Sequence, residues 1–221
     1  MPRTKSPRIA LIHALTLSMA PINAVMARDW PRARCMNLLD DSLSADLASS
    51  GALNEEMIRR FITLSDYAVE QGADALLFTC SAFGPCIDAV KHRHAGLPVL
   101  RPNEAMIDEA VELATQTGTR IGLVASFGPT LHSMPTEFPV SCQPQTALAE
   151  GALQALDAGD AQAHDRLATQ AAATLAAQGC GVIALAQFSL ARAQQAIALA
   201  TGLPVLSTPT SAVRRLQLLL G

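Results

Sequence analysis

Cys80 is the side chain best placed to do covalent or proton-transfer chemistry. It ends the apolar run Ala75-Leu76-Leu77-Phe78-Thr79 and is followed at once by Ser81-Ala82-Phe83-Gly84-Pro85. Proline is favoured at the first helical position, so Pro85 predicts a helix start a few residues after the cysteine. A thiol near a helix N-terminus titrates below its ordinary pKa of about 8.5. The expected chemistry is a thiolate that takes a proton from a carbon acid and returns it. The plainer reading is packing, because free cysteine is among the most buried residue types. The strand-end position and the Ser81-Ala82-Phe83-Gly84 loop favour chemistry.

The same framework returns 107 positions later with Gln187 in place of the cysteine. Gln71-Gly72-Ala73-Asp74-Ala75-Leu76-Leu77-Phe78-Thr79-Cys80 aligns without a gap with Gln178-Gly179-Cys180-Gly181-Val182-Ile183-Ala184-Leu185-Ala186-Gln187. An amide shuttles no proton at neutral pH. It donates and accepts hydrogen bonds, so it could hold a carboxylate, ureide or enolate oxygen. Ser81, Ser126, Thr130 and Ser189 follow expected strand ends. Hydroxyls and backbone N–H groups at such turns form anion cradles, and the same geometry caps helices. His13 and His132 are candidates for a second acid or base, or are structural histidines. His92 and His94 read as a solvated helix end.

Cys86 shares the helix-start environment, but a Cys80–Cys86 pair has a spacer that matches no common zinc pattern. Cys35, Cys142 and Cys180 read as packing residues or incidental thiols, with Cys180 at the far end of its strand. The chain has no phosphate-binding glycine loop, no Cys-x-x-Cys and no His-Glu-x-x-His. No cofactor and no metal are expected.

These residues need elements to hold them. Arg8-Ile9-Ala10-Leu11-Ile12 reads as a buried strand. A helix is expected over Ser18–Asp29. Asn54 reads as an N-cap, with Glu55 and Glu56 suited to the helix dipole and Met57, Ile58, Phe61, Ile62, Leu64 and Ala68 as the apolar face. Leu97–Leu100 is a short strand, and Asn103–Thr117 a helix stopped by Gly118. The pattern then restarts. Arg120-Ile121-Gly122-Leu123-Val124 echoes Arg8–Ile12, and Gly202-Leu203-Pro204-Val205-Leu206 echoes Gly96–Leu100.

Three segments matched in the same order predict a duplication. Alternating strands and helices with apolar strands predict an α/β fold, two pseudo-symmetric, flavodoxin-like parallel-sheet halves with the site in the crevice between them. The halves are expected at 8–100 and 101–206, with a C-terminal helix over 207–221 packing back on the first half and a disordered leader over 1–7.

Composition agrees with a large aliphatic core: 50% of the 221 residues are hydrophobic and 4% aromatic. A net charge of −3 gives no electrostatic case for nucleic acid. No run reaches the roughly 18 apolar residues of a membrane span. The basic N-terminus lacks a clear cleavage site and does not read as a signal peptide. Five cysteines without regular spacing fit free thiols in a reducing cytoplasm.

On Asp74–Ser81, on Gly122-Leu123-Val124-Ala125-Ser126 through Thr130, and on Gly179–Leu185, the chain resembles the aspartate/glutamate racemase superfamily. That superfamily includes hydantoin and allantoin racemases, maleate isomerase and arylmalonate decarboxylase. The resemblance spans about Arg8 to Leu220. It implies a pseudo-symmetric, cofactor-independent enzyme acting on a small carboxylate or ureide, with a homodimer as the common assembly. It also implies that Cys80 matches the first-half catalytic cysteine, while Gln187 stands where a second would be. Two-base racemisation needs a proton carrier on each face, and an amide is not one. Three readings stay open. One is single-thiol chemistry of the decarboxylase kind on a malonate-type acid. Another is racemisation or isomerisation by Cys80 with His13 or His132. The third is a non-catalytic protein that binds a small acid.

Overall fold

The computed structural model describes residues 6–221. Residues 1–5 of the expected leader lie outside the described residues. The Pro7 carbonyl accepts a hydrogen bond from Arg34 N at 2.8 Å. The chain forms two compact units, one of residues up to Pro102 together with Ala212–Gly221, the other Asn103–Ser211.

The first unit carries β1 (Arg8–His13), α1 (Met19–Asp29), β2 (Arg34–Leu39), α2 (Ser42–Ser50), α3 (Glu55–Glu70), β3 (Ala75–Phe78), α4 (Gly84–Arg93) and β4 (Val99–Leu100). Its sheet is parallel, in the order β2-β1-β3-β4. The two central strands are the two continuous apolar runs, as expected of strands covered on both faces. Asn54 caps α3, its Oδ1 accepting from Met57 N at 2.9 Å. Met57, Phe61, Ser65 and Ala68 then recur at helical spacing and form the buried stripe. Met57, Phe61 and Ala68 pack with Ile12, Leu76, Phe78, Phe83 and Ile87 in one core cluster. Phe61 anchors it, with ring centroids 5.4 Å from Phe78 and 4.9 Å from Phe83.

The second unit repeats the plan. It carries α5 (Glu104–Thr117), β5 (Arg120–Ala125), α6 (Gly128–Ser133), β6 (Gln145–Leu148), α7 (Ala152–Asp157), α8 (Ala161–Ala177), β7 (Cys180–Leu185), α9 (Gln194–Thr201) and β8 (Val205–Ser207). Its parallel order, β6-β5-β7-β8, is the first sheet's order again. Gly122 of β5 is needed for packing, because a Cβ there would lie 3.0 Å from Leu175 Cδ1 of α8 and from Ile183 Cδ1 of β7. The expected α/β duplication with two parallel sheets is therefore what the chain folds into. α10 (Thr208–Leu220) starts in this unit and ends in the first, where Gln217 Nε2 donates to Asp29 O at 2.9 Å. Among the described residues no helix is long and apolar enough to cross a membrane.

The expected elements stand within a residue or two of their predicted bounds, and the strand at Leu97–Leu100 shortens to Val99–Leu100. The edge strands β2 and β6 had no counterpart in the sequence reading.

Candidate functional site

Cys80 follows the carboxyl end of β3 in extended conformation, with φ −126° and ψ 122°, and caps a short 3-10 helix over Ser81–Phe83. Gln187 occupies the corresponding place after β7, with φ −132° and ψ 150° before a 3-10 helix over Phe188–Ala193. The ladders match too. Thr79 N donates to Ile12 O at 3.1 Å in one sheet, and Ala186 N to Val124 O at 2.9 Å in the other.

The Cys80 side chain is half-buried against the cluster that contains Ile12, Phe78 and Phe83. Burial pushes its thiol above the ordinary range, and a hydrogen bond from the Ala82 backbone only partly offsets this. This is opposite to the direction expected from a nearby helix start. The helix that was to lower the pKa begins at Gly84, four residues beyond the cysteine, and desolvation outweighs it. Cys86 is wholly buried, and its thiol is likewise pushed up by burial. All five cysteines are free.

His13, the last residue of β1, is 0% exposed. Its Nδ1 lies 2.9 Å from Thr79 Oγ1 and 3.2 Å from Ser18 Oγ, and its Nε2 lies 3.0 Å from Asn37 Oδ1. The amide orientations follow by elimination. Met19 O can only accept, so Asn23 Nδ2 faces it at 2.8 Å. The same Nδ2 donates to Asn37 Oδ1 at 2.9 Å, and Asn37 Nδ2 returns a bond to Asn23 Oδ1 at 3.1 Å. Asn37 Oδ1 is thereby turned to His13 Nε2, while Nδ1 meets the hydroxyls of Thr79 and Ser18. Burial pushes the His13 pKa below its ordinary value, with the Asn37 bond opposing, which favours a neutral ring.

In the second unit Gln187, Ser126 and Thr130 come together. Gln187 Oε1 accepts from Ser126 N at 2.7 Å and from Ser126 Oγ at 3.2 Å, while Gln187 Nε2 donates to Thr130 Oγ1 at 3.2 Å. The amide oxygen is thus satisfied within the protein. What remains for a ligand is the second Nε2 hydrogen and the Thr130 hydroxyl hydrogen, both donors. Such an array suits an oxygen that carries negative charge.

The other candidates are placed apart from these clusters. Ser81 is exposed in the turn after Cys80, and Ser189 is half-buried in the turn after Gln187. His132 is exposed on α6, its Nδ1 3.2 Å from Gly128 O. His94 is not simply solvated, since its Nε2 lies 2.9 Å from Asp66 Oδ1. Cys180 donates its thiol hydrogen to Gln145 Oε1 at 3.2 Å, at the amino end of β7. Among the described residues no three or more His, Cys, Asp or Glu side chains are placed to hold a metal ion.

Sequence reasoning passed over Thr79, Ser18, Asn23 and Asn37, and also Arg101. Arg101 follows β4 and donates from Nε to Asp88 Oδ1 at 3.1 Å, beside Gly84 at the start of α4. Its signal was available, since it directly follows Leu100 at a strand end.

The sequence profile described as Asp/Glu/Hydantoin racemase matches residues 42–216. No curated protein matches the chain significantly. Among solved structures, allantoin racemase from Klebsiella pneumoniae is similar at TM-score 0.70 and 19% identity, over 97% of this chain and 88% of that one. Unliganded arylmalonate decarboxylase is similar at TM-score 0.66 and 16% identity, over 97% and 93%. A glutamate racemase isoform from Bacillus anthracis is similar at TM-score 0.63 and 13% identity, over 98% and 82%. At these identities the structures share the fold, and their individual reactions do not transfer with it.

Proposed function

The chain belongs to the Asp/Glu/hydantoin racemase family, and from that premise we propose a cofactor-independent enzyme in which Cys80 exchanges a proton at the α-carbon of a small carboxylate or ureide. The observation that carries this reading is the thiol itself, at the end of the central strand β3 and half-open to a ligand. The thiolate takes the α-proton, the electron pair moves into the adjacent carbonyl to give an enolate or enediolate, and the thiol returns a proton to carbon. Ser81, Ser126, Thr130, Gln187 and Ser189 would bind the substrate, with the Gln187 and Thr130 donors on its charged oxygen. Five free thiols support a reducing cytoplasm as its compartment.

A second reading, a decarboxylase of malonate-type acids, draws on the same residues. Gln187 is neither acid nor base at neutral pH. His13 is sealed from solvent with both ring nitrogens engaged. A single thiol that protonates an enediolate from one face needs no partner carrier. The two readings differ in product. A panel of small amino acids, hydantoins, allantoin and substituted malonates, followed by polarimetry and by carbon dioxide release, separates them. Loss of optical rotation supports racemisation, and carbon dioxide with one new C–H bond supports decarboxylation. Turnover that persists in Cys80→Ala would refute both.

A further inference from the structure

We propose that His13 is a positioning residue for Cys80, holding the Thr79 hydroxyl on one face of the sheet and so fixing the opposite face as the one the thiol presents. The inference rests on the reading of Cys80 as the reacting thiol. Side chains alternate along extended backbone, so an anchored residue dictates where its neighbour points. The register pairs Leu11 with Asn37 and Ile12 with Phe78. Thr79 continues that register beside His13, so His13, Asn37 and Thr79 share a face, and their hydrogen bonds join them there. Cys80 falls on the other face, with Phe78 and Ile12. Ser18 closes the anchor, its Oγ 2.8 Å from both Thr79 Oγ1 and Leu15 O. Thr79 is bonded through its backbone and its hydroxyl, so the strand end has little freedom to rotate.

The second unit supplies the comparison. The residue that precedes Gln187 is Ala186, and the β5 residue beside it is Ala125. Both are buried, and neither bears a polar side chain. The half with the cysteine has the His–Thr anchor, and the half without it has two alanines. An anchor needed only for folding would serve both sheets equally. An anchor that aims a thiol is needed in one.

The test uses iodoacetamide as probe, with alkylation read at each cysteine by mass spectrometry across pH in the intact protein. The exposed Cys35 is the internal reference. Thr79→Val keeps the shape and removes the hydroxyl, while Thr79→Ser keeps the hydroxyl. In Thr79→Val the freed thiol should leave its buried setting. Cys80 alkylation should then accelerate about tenfold relative to Cys35, with its pH midpoint falling toward the ordinary cysteine range. Thr79→Ser should stay on the wild-type curve. His13→Leu, which removes the Thr79 partner, should shift the Cys80 profile in the same direction. A Thr79→Val protein that folds yet keeps the wild-type Cys80 profile overturns the proposal. Thermal melting of each variant identifies any that does not fold, and His13→Gln then repeats the comparison. Failure of the catalytic reading is a separate result, turnover without Cys80, and these measurements need no substrate.

Discussion

At the scale of single residues, the chain separates a thiol from the groups around it by environment. Burial holds Cys80 protonated near neutrality. Inactivation by alkylation should therefore rise with pH and reach its midpoint above the ordinary cysteine value of about 8.5. A midpoint below it would mean a compensating cation. His13 gives a stability prediction from the same cause, acting in the opposite direction. Its folded pKa is depressed by burial. Above about pH 6.5, the ordinary histidine value, both folded and unfolded chains hold the ring neutral and the network contributes in full. As pH falls through that value the unfolded chain binds the proton first, so stability drops until the depressed folded value is reached. Urea midpoints of the wild type should fall over this window, and those of His13→Gln should fall less. Gln187→Leu should raise KM about tenfold and leave kcat within about threefold, since it removes donors and no proton carrier. A collapse of kcat with unchanged KM would instead give Gln187 a part in proton transfer. Cys80 and Gln187 were legible in the sequence because a repeat aligned them. The His13 network was not, because parallel register gathers residues 13, 18, 23, 37 and 79 from four segments.

At the scale of elements, legibility followed burial. β1, β3, β5 and β7 are central strands whose apolar runs mark them directly. β2 is an edge strand of mixed composition, Arg34-Cys35-Met36-Asn37-Leu38-Leu39, with no fully buried residue, so no period announced it. The caps were legible, as at Asn54 and at Gly118, which ends α5 with φ +66°. Asn54→Ala should cost about 1 kcal/mol, read by chemical denaturation, because Met57 N loses its acceptor. No measurable change would mean that water replaces the cap.

At the scale of the whole molecule, two copies of one sheet order have diverged at corresponding strand ends, Cys80 in one and Gln187 in the other. The duplication was readable from three short matches. Residues 212–221, the end of α10, group with the first unit. Their removal after Ser211 should raise amide exchange in α1, where Asp29 O loses Gln217, and leave β5 and β7 protected. Equal loosening of both sheets would contradict that division. The proposed chemistry lies at a carbon acid, with Cys80 as its thiol. Proton NMR in D₂O over the same substrate panel, with Cys80→Ala alongside, tests this most directly. The account predicts that the wild type replaces an α-proton, or the carboxyl group of a malonate, with deuterium, and that Cys80→Ala binds the same compound without exchange. Exchange at the wild-type rate in Cys80→Ala would contradict it.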